Sequence, residues 1–325
     1  MAAPAFALGI ERDERPGRAC PQDYRYPPRS FDRAPELECE TLYVAGGLYG
    51  NVEALDALLA MVAGEPGAQL AFNGDFHWFD VVPTEFEYIA RSVLAHAATR
   101  GNVETEIAHE DSGAGCGCAY PAEVSDAEVE RSNRILDALR ETSRRFPELR
   151  QRQGELPMNL VARVGDARVG LVHGDAASLA GWGFAQDQLD NPRKARWLEG
   201  VFDESKVDIF ASSHTCLPAC RAVPFGTVIN NGAAGMPNFS GTSHGIVTRI
   251  ARSAAPGETL YGVQVRGVHV DALALRFEER RWIERFLASW PKGSPAHESY
   301  YRRIAHGPRF TQQQAAPHAV QGRKK

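Results

Sequence analysis

Four short segments each set one side chain able to bind a metal beside a glycine or another small residue: Asn73, Gly74 and Asp75; Arg100, Gly101 and Asn102; Val172, His173 and Gly174; Ser213, His214 and Thr215. Asp75, Asn102, His173 and His214 offer one carboxylate, one amide carbonyl and two imidazoles, a mixed hard and borderline set that suits Mn, Fe or Zn better than Ca. Most of these segments follow an apolar, strand-like run, so the residues sit where strand ends would converge on one site.

The elements that carry them can be read along the chain. Residues 41–45 are a short apolar run ending in Gly46 and Gly47, and residues 51–62 carry apolar side chains at helical spacing behind a capping Asn51. A second strand over 69–72 breaks at Gly74, and an amphipathic helix over 86–96 leads to Gly101 and Asn102. Residues 105–122 read as an irregular loop containing Gly and Cys, followed by a helix over 125–145 with many charges on one face. Runs at 160–164 and 167–172 flank Gly165 and Asp166 as a hairpin, the second strand ending at His173. A loop with Trp182, a helix over 192–200 and a strand over 207–210 lead to His214. Residues 221–223, 227–229, 246–250, 261–265 and 268–277 then read as a β-meander, closed by a helix over 279–290.

The composition bounds what these elements build. A chain of 325 residues, 43% hydrophobic and 24% charged, has material for one large α/β domain or two small ones. No linker separates two cores, so one domain over 39–308 is expected. Residues 1–38, rich in Pro, Arg and acidic residues, read as an irregular arm, and residues 309–325 as a disordered tail with a basic end. With 36 Lys and Arg against 41 Asp and Glu, the net charge is −5, and nothing points to nucleic acid. No long apolar run suggests a membrane span, and the N-terminus lacks the basic and apolar regions of a leader, so a cytoplasmic protein is expected. The six cysteines are then expected to be reduced.

The order of the motifs resembles the calcineurin-like metallophosphoesterases, over roughly residues 40–277, in their smaller phosphodiesterase branch. The loops that carry the resemblance are residues 47–51, Gly74 to His77, Gly101 to Glu104, His173 to Asp175 and Ser213 to Cys216, with Asn230 to Gly235 like the small-residue turn that follows the last loop. The resemblance implies a four-layer β-sandwich of two mixed sheets flanked by helices, and loops that supply ligands for two metal ions. It also implies hydrolysis of a phosphomonoester or phosphodiester by water activated at the metal.

The departures are concentrated on one of the two ions. Gly47 and Tyr49 stand where the family has its first-loop Asp and His, and Cys216 stands where it has its last His. The family's other ion uses the residues that correspond to Asp75, Asn102, His173 and His214, and that set is complete. One ion is therefore expected, with a second only if the site is rebuilt. Val103 replaces a His that assists leaving-group departure in the family, and Val cannot transfer a proton.

Substitute proton donors are His77, two residues after Asp75, and Glu104, two after Asn102. His77 equally fits a hydrogen-bonded wall residue between Phe76 and Trp78, and Glu104 a group at a helix start. Cys216 fits a thiolate ligand or a loop residue, and Cys116 and Cys118 fit extra thiolate ligands or a tight glycine turn. Tyr49, Asn51 and Asp175 are candidates for ligand support or substrate contact, although Asn51 also fits a helix cap; Asp175 would orient His173. Asp80 reads as structural, and His96, His109, His244, His269, His297, His306 and His318 as surface or packing residues. Three functions follow: a metal-dependent phosphoester hydrolase acting on a small phosphorylated substrate, a non-catalytic protein of the same fold that binds a phosphorylated ligand or protein partner, and a thiolate-metal or redox sensor. The oligomeric state is not legible.

Overall fold

The computed structural model describes residues 14–109 and 113–317. Twelve strands form two six-stranded sheets. The strands are β1 (Leu37–Cys39), β2 (Thr41–Ala45), β3 (Gln69–Asn73), β4 (Ala97–Thr99), β5 (Asn159–Val164), β6 (Ala167–Val172), β7 (Ile209–Ser212), β8 (Ala219–Val223), β9 (Gly226–Asn230), β10 (Gly245–Ala251), β11 (Thr259–Val265) and β12 (Val268–Leu275). One sheet has the order β1-β5-β6-β7-β9-β8 and the other β11-β12-β10-β2-β3-β4. Both are mixed: β2, β3 and β4 run parallel, whereas β10 pairs antiparallel with β2 and β12.

The alternation along each strand sorts side chains between two faces. Leu42 and Val44 of β2 point into the core between the sheets, against Ala162, Val169 and Ile209 of the opposite sheet. Tyr43 and Ala45 point outward, where helices α1 (Val52–Ala63) and α2 (Pro83–Val93) cover them with Leu55, Leu58, Ile89 and Val93. On the far side, Phe210 and Val228 are covered by Leu198, Val201 and Phe202. The result is the expected four-layer α/β architecture.

Further helices complete the fold. They are α3 (Asn102–Ala108), α4 (Asp126–Ser143), α5 (Pro147–Gly154), α6 (Gln186–Leu189), α7 (Ala195–Ser205), α8 (Glu279–Ser289), α9 (Pro295–His306) and α10 (Gln312–Ala315). Several differ from expectation. The loop expected from residue 105 starts later, because Gly101 opens α3 and Glu104 caps it. The late strands are not one meander: β8 and β9 join the sheet of β7, while β10 to β12 return to the sheet of β2. Helix α8 does not close the domain, since α9 follows and packs on α4. The tail expected to be disordered from residue 309 continues through α10, where Phe310 and Ala315 are buried in the intersheet core. Residues 1–13 of the expected arm, residues 110–112 of the expected loop, and the basic end with His318 lie outside the described residues.

The arm from residue 14 is built into the fold. Gly17 donates to the Ala114 carbonyl (2.7 Å) and accepts from Tyr120 N (2.9 Å), and Arg18 reaches the carbonyls of Pro121 and Val124. The Tyr24 phenol donates to Glu106 of α3 (2.5 Å). The arm therefore straps the 113–120 loop onto α3.

A buried ion pair at the edge of the core makes acid stability depend on one carboxylate. Arg249, fully buried, donates to Glu65 at 2.5 and 2.9 Å, and Tyr43 adds a third hydrogen bond at 2.6 Å. The Arg249 hydrogen bonds, working against burial and helped by Tyr43, hold the Glu65 carboxyl down to about 2 from its ordinary 4.5. A depressed folded-state pKa contributes stability that is full above the unfolded value and is lost as pH falls toward the folded one. After allowance for solvent screening this contribution is about 1–2 kcal/mol. Urea midpoints measured from about pH 5 down to pH 3 should therefore fall more steeply in the native protein than in Glu65→Gln, which removes this linkage.

Candidate metal centre

Each metal-binding candidate leaves the end of a strand, as its position after an apolar run suggests. Asp75 follows β3 through Gly74, Asn102 opens α3 after β4, His173 follows β6 and His214 follows β7. Asp75 sits at φ +52°, a left-handed conformation that turns its side chain back toward the loop of Gly101. That approach needs glycine opposite: a Cβ on Gly101 would lie 2.3 Å from Asp75 Oδ1.

The side chains meet. Asp75, His173 and His214 place ligand atoms within 4.8 Å of one another, all buried. His173 Nε2 lies 3.0 Å from Asn102 Oδ1, 3.0 Å from His214 Nδ1 and 3.3 Å from Asp75 Oδ1.

The other atoms of these side chains decide which hydrogens are available. His173 Nδ1 is 2.9 Å from the Asn73 carbonyl, and His214 Nε2 is 3.1 Å from the Cys118 carbonyl. A carbonyl only accepts, so each of these nitrogens carries the hydrogen, and His173 Nε2 and His214 Nδ1 are left with lone pairs. Asn102 Nδ2 donates to the Cys116 carbonyl (2.9 Å), which turns its Oδ1 inward. With both imidazoles neutral, four electron-pair donors converge with no hydrogen among them, an arrangement satisfied by a cation at the centre or by a proton taken up on His173 Nε2. Ligand bonds of about 2.0–2.2 Å put neighbouring ligand atoms about 3.0–3.5 Å apart, which the observed separations match. The residues present fit a divalent transition metal.

Without an ion, the same cluster holds a proton. Burial opposes charge on His173, but the Asp75 carboxylate outweighs it and raises the His173 pKa. Burial and a charged His173 together push His214 down to about 3. The pocket favours positive charge at its centre and leaves His214 free to donate its lone pair.

Gly47, Tyr49 and Cys216, the residues that depart from the expected ligands, pack against one another. The Tyr49 ring folds back over Gly47, where an added Cβ would lie 2.7 Å from the ring, and its hydroxyl lies 2.8 Å from Cys216 Sγ. Burial first, then Cys216 and Asp75, push the Tyr49 phenol well above its ordinary pKa. Burial likewise raises Cys216, which points its thiol toward the His214 carbonyl at 3.4 Å. Among the described residues, no cysteine joins the Asp75, His173 and His214 cluster. Cys216 and Cys118, expected as thiolate ligands, line the same cavity outside that cluster, and Cys116 does not line it. Cys116 is packed in the core, while the Cys118 thiol lies 3.5 Å from Asn102 Nδ2.

Other candidates are placed elsewhere. His77, fully buried, stacks on Phe86 with ring centroids 4.2 Å apart, and its nitrogens are taken by Asp80 (2.5 Å) and Gln153 (2.8 Å). It does not face the cavity, so it is the wall residue rather than a proton donor. Glu104 is also fully enclosed: its carboxylate accepts from Gly101 N (2.8 Å), Asp75 N (2.9 Å) and Phe76 N (3.0 Å), locking the second loop to the third. Burial first, and then Asp75, raise its pKa. Asn51 caps α1 through Ala54 N and donates to the Gly235 carbonyl. Asp175 does not orient His173; it accepts from the backbone of Ala177, Ser178 and Gly183 and closes its own loop.

A cavity of about 210 Å³ opens on Asp75, Asn102 and His214. Its walls include Trp78, Tyr120, Trp182, Ser299 and Tyr300. In the sequence, Trp78 stands out only as a neighbour of His77, and Tyr120, Ser299 and Tyr300 do not stand out at all. No local pattern marks them, because α4, α9 and the loop before α6 reach the site only in the folded protein. Trp182 also donates from Nε1 to the Cys118 carbonyl (3.1 Å), the same carbonyl that holds His214.

Comparison with known proteins agrees with this architecture. No family model and no curated protein sequence matches the chain. Solved structures similar in fold include the following two. A hypothetical protein from Pyrococcus horikoshii is 17% identical with a TM-score of 0.58, over 83% of this chain and 99% of that one. A metallophosphoesterase from Sphaerobacter thermophilus is 14% identical with a TM-score of 0.54, over 83% and 100%. Over most of its length, the chain shares the two-sheet α/β fold of a metallophosphoesterase.

Proposed function

We propose that this protein is a metal-dependent phosphoester hydrolase that uses one ion, held by Asp75, Asn102, His173 and His214. The observation that carries this reading is the convergence of four lone-pair donors whose hydrogens are all committed elsewhere. Bound there, a Mn, Fe or Zn ion supplies a Lewis acid for a phosphoryl oxygen and acidifies a water. The chain's own groups do the rest. Asp75, exposed to the cavity, accepts a proton from an attacking water, and the aromatic walls limit solvent around it.

Tyr49 takes over part of the missing ion's work. Its neutral phenol lines the cavity and, on turning from Cys216 Sγ, offers a hydrogen bond to an oxygen that gains charge in the transition state. Tyr49→Phe should keep its metal and lose about 10-fold in turnover, with KM little changed, since one donor is removed from the transition state alone. Elemental analysis of that variant beside its kinetics separates this role from a loss of metal.

The decisive experiment is metal analysis of gently purified protein together with hydrolysis of phosphoesters before and after chelation. One equivalent of a transition metal and chelator-sensitive turnover support the reading. A folded protein that takes up no metal, or one fully active after chelation, overturns it. A second reading is favoured by the Tyr49 plug and by Val103: a protein that binds a phosphorylated ligand or partner without turnover. It predicts metal uptake with no hydrolysis of any ester. We place the protein in the cytoplasm, in keeping with six cysteines that are all free.

A further inference from the structure

The turn over Cys116, Gly117 and Cys118 meets the candidate metal centre through its backbone carbonyls. The Cys116 carbonyl accepts from Asn102 Nδ2 (2.9 Å), and the Cys118 carbonyl accepts from His214 Nε2 (3.1 Å). These two bonds decide which atom each side chain presents to the cluster. An amide turned by half a revolution offers N–H groups where its oxygen was, and a neutral imidazole released from an acceptor carries its hydrogen on either nitrogen. With the carbonyls displaced, Asn102 Oδ1 and His214 Nδ1 would be available as ligand atoms only part of the time.

The turn is itself held from outside the cavity. Gly115 and Gly117 stand at φ +64° and +65°, and neither has room for a side chain. A Cβ on Gly115 would meet Asn133 Oδ1 and lie 2.8 Å from Gly17 N, and one on Gly117 would meet the Tyr24 hydroxyl. The turn is therefore wedged between α4 and the arm. Asn133 of α4 joins all three: its Oδ1 accepts from Cys116 N (2.9 Å), and its Nδ2 donates to the Pro16 carbonyl (3.2 Å). Cys116 thus takes Asn133 on its N–H and Asn102 on its carbonyl. Gly17 brackets the turn through Ala114 and Tyr120. Neither Asn133 nor any residue of 14–26 lines the cavity.

We infer that Asn133 and the arm over residues 14–26 position the metal ligands, so that docking of the arm and binding of the metal strengthen each other. This rests on the metal-site reading above. Asn133 is a positioning residue that acts through the Cys116 peptide. Coupling of this kind is reciprocal: an arm that favours the metal must be held more tightly once the metal is bound.

The test uses the full chain, freed of metal by chelation and then titrated with Mn²⁺ and with Zn²⁺. Saturating metal should slow amide hydrogen exchange in residues 14–26 and 113–120 about 10-fold in the native protein, and should leave it unchanged in His173→Ala. Asn133→Ala should bind the metal about 10-fold more weakly, as loss of support behind a ligand does. A purely structural Asn133 would lower the denaturant midpoint of the chelated protein and leave metal affinity alone, which overturns the inference. Native protein that binds metal with no change in exchange of the arm also overturns it, while the metal site stands. Native protein that takes up neither ion overturns both. Should Asn133→Ala fail to fold, exchange in the native protein and in His173→Ala decides.

Discussion

His173→Ala should lose its metal and keep its fold. The substitution removes the nitrogen that lies 3.0–3.3 Å from all three other ligand atoms, so it deletes the centre of the cluster rather than its rim. Residues that only orient metal ligands typically cost about 10–100-fold in affinity when changed. Loss of a ligand should exceed that, on the order of 10³-fold. The readout is metal stoichiometry together with thermal unfolding with and without chelator. Metal bound to the native state adds to its stability, so chelation should lower the melting temperature of the native protein and leave that of His173→Ala where it was. A variant that still binds one equivalent would remove the basis for the proposed site.

Glu104→Gln should give the largest loss of stability of any single conservative change at the site. The Glu104 carboxylate is the sole acceptor described for the backbone N–H groups of Asp75, Phe76 and Gly101. An amide has one oxygen instead of two and turns N–H groups toward N–H groups, in a place with no solvent. Leaving buried donors unpaired costs about 1–3 kcal/mol each, so the variant should lose on the order of 3 kcal/mol, read from denaturant midpoints. Because Asp75 holds its left-handed turn through this bond, metal affinity should fall with stability. A catalytic Glu104 would behave in the opposite way, with turnover lost while the midpoint stayed put.

Much of the architecture was legible because the strands alternate. Leu42 and Val44 against Tyr43 and Ala45 mark a strand with two buried faces, and the hairpin at Gly165 and Asp166 emerges where its turn residues indicate. The four candidate ligands that converge were legible for a related reason: each is a metal-binding side chain at the point where an apolar run stops. What was hidden depended on contacts distant in sequence. Glu104 looked like a proton donor because its spacing from Asn102 says nothing about three backbone donors from two loops. His77 looked catalytic by nearness to Asp75, yet Asp80, Gln153 and Phe86 enclose it. Ser299 and Tyr300 carry no local signature at all, and α9 was not anticipated because its apolar positions are few.

The placement of β10 has a consequence for how the chain can be made. It pairs with β2 on one side and β12 on the other, so it joins the first strands of its sheet to the last. During vectorial synthesis, β2, β3 and β4 leave the ribosome long before residues 245–251 do, and until then β2 presents an open edge to any other extended segment. The amino-terminal half is thus not an autonomous folding unit. Truncation anywhere before β12 should yield aggregates rather than a smaller native domain, and the candidate metal pocket should become competent only once β10 and β12 have emerged.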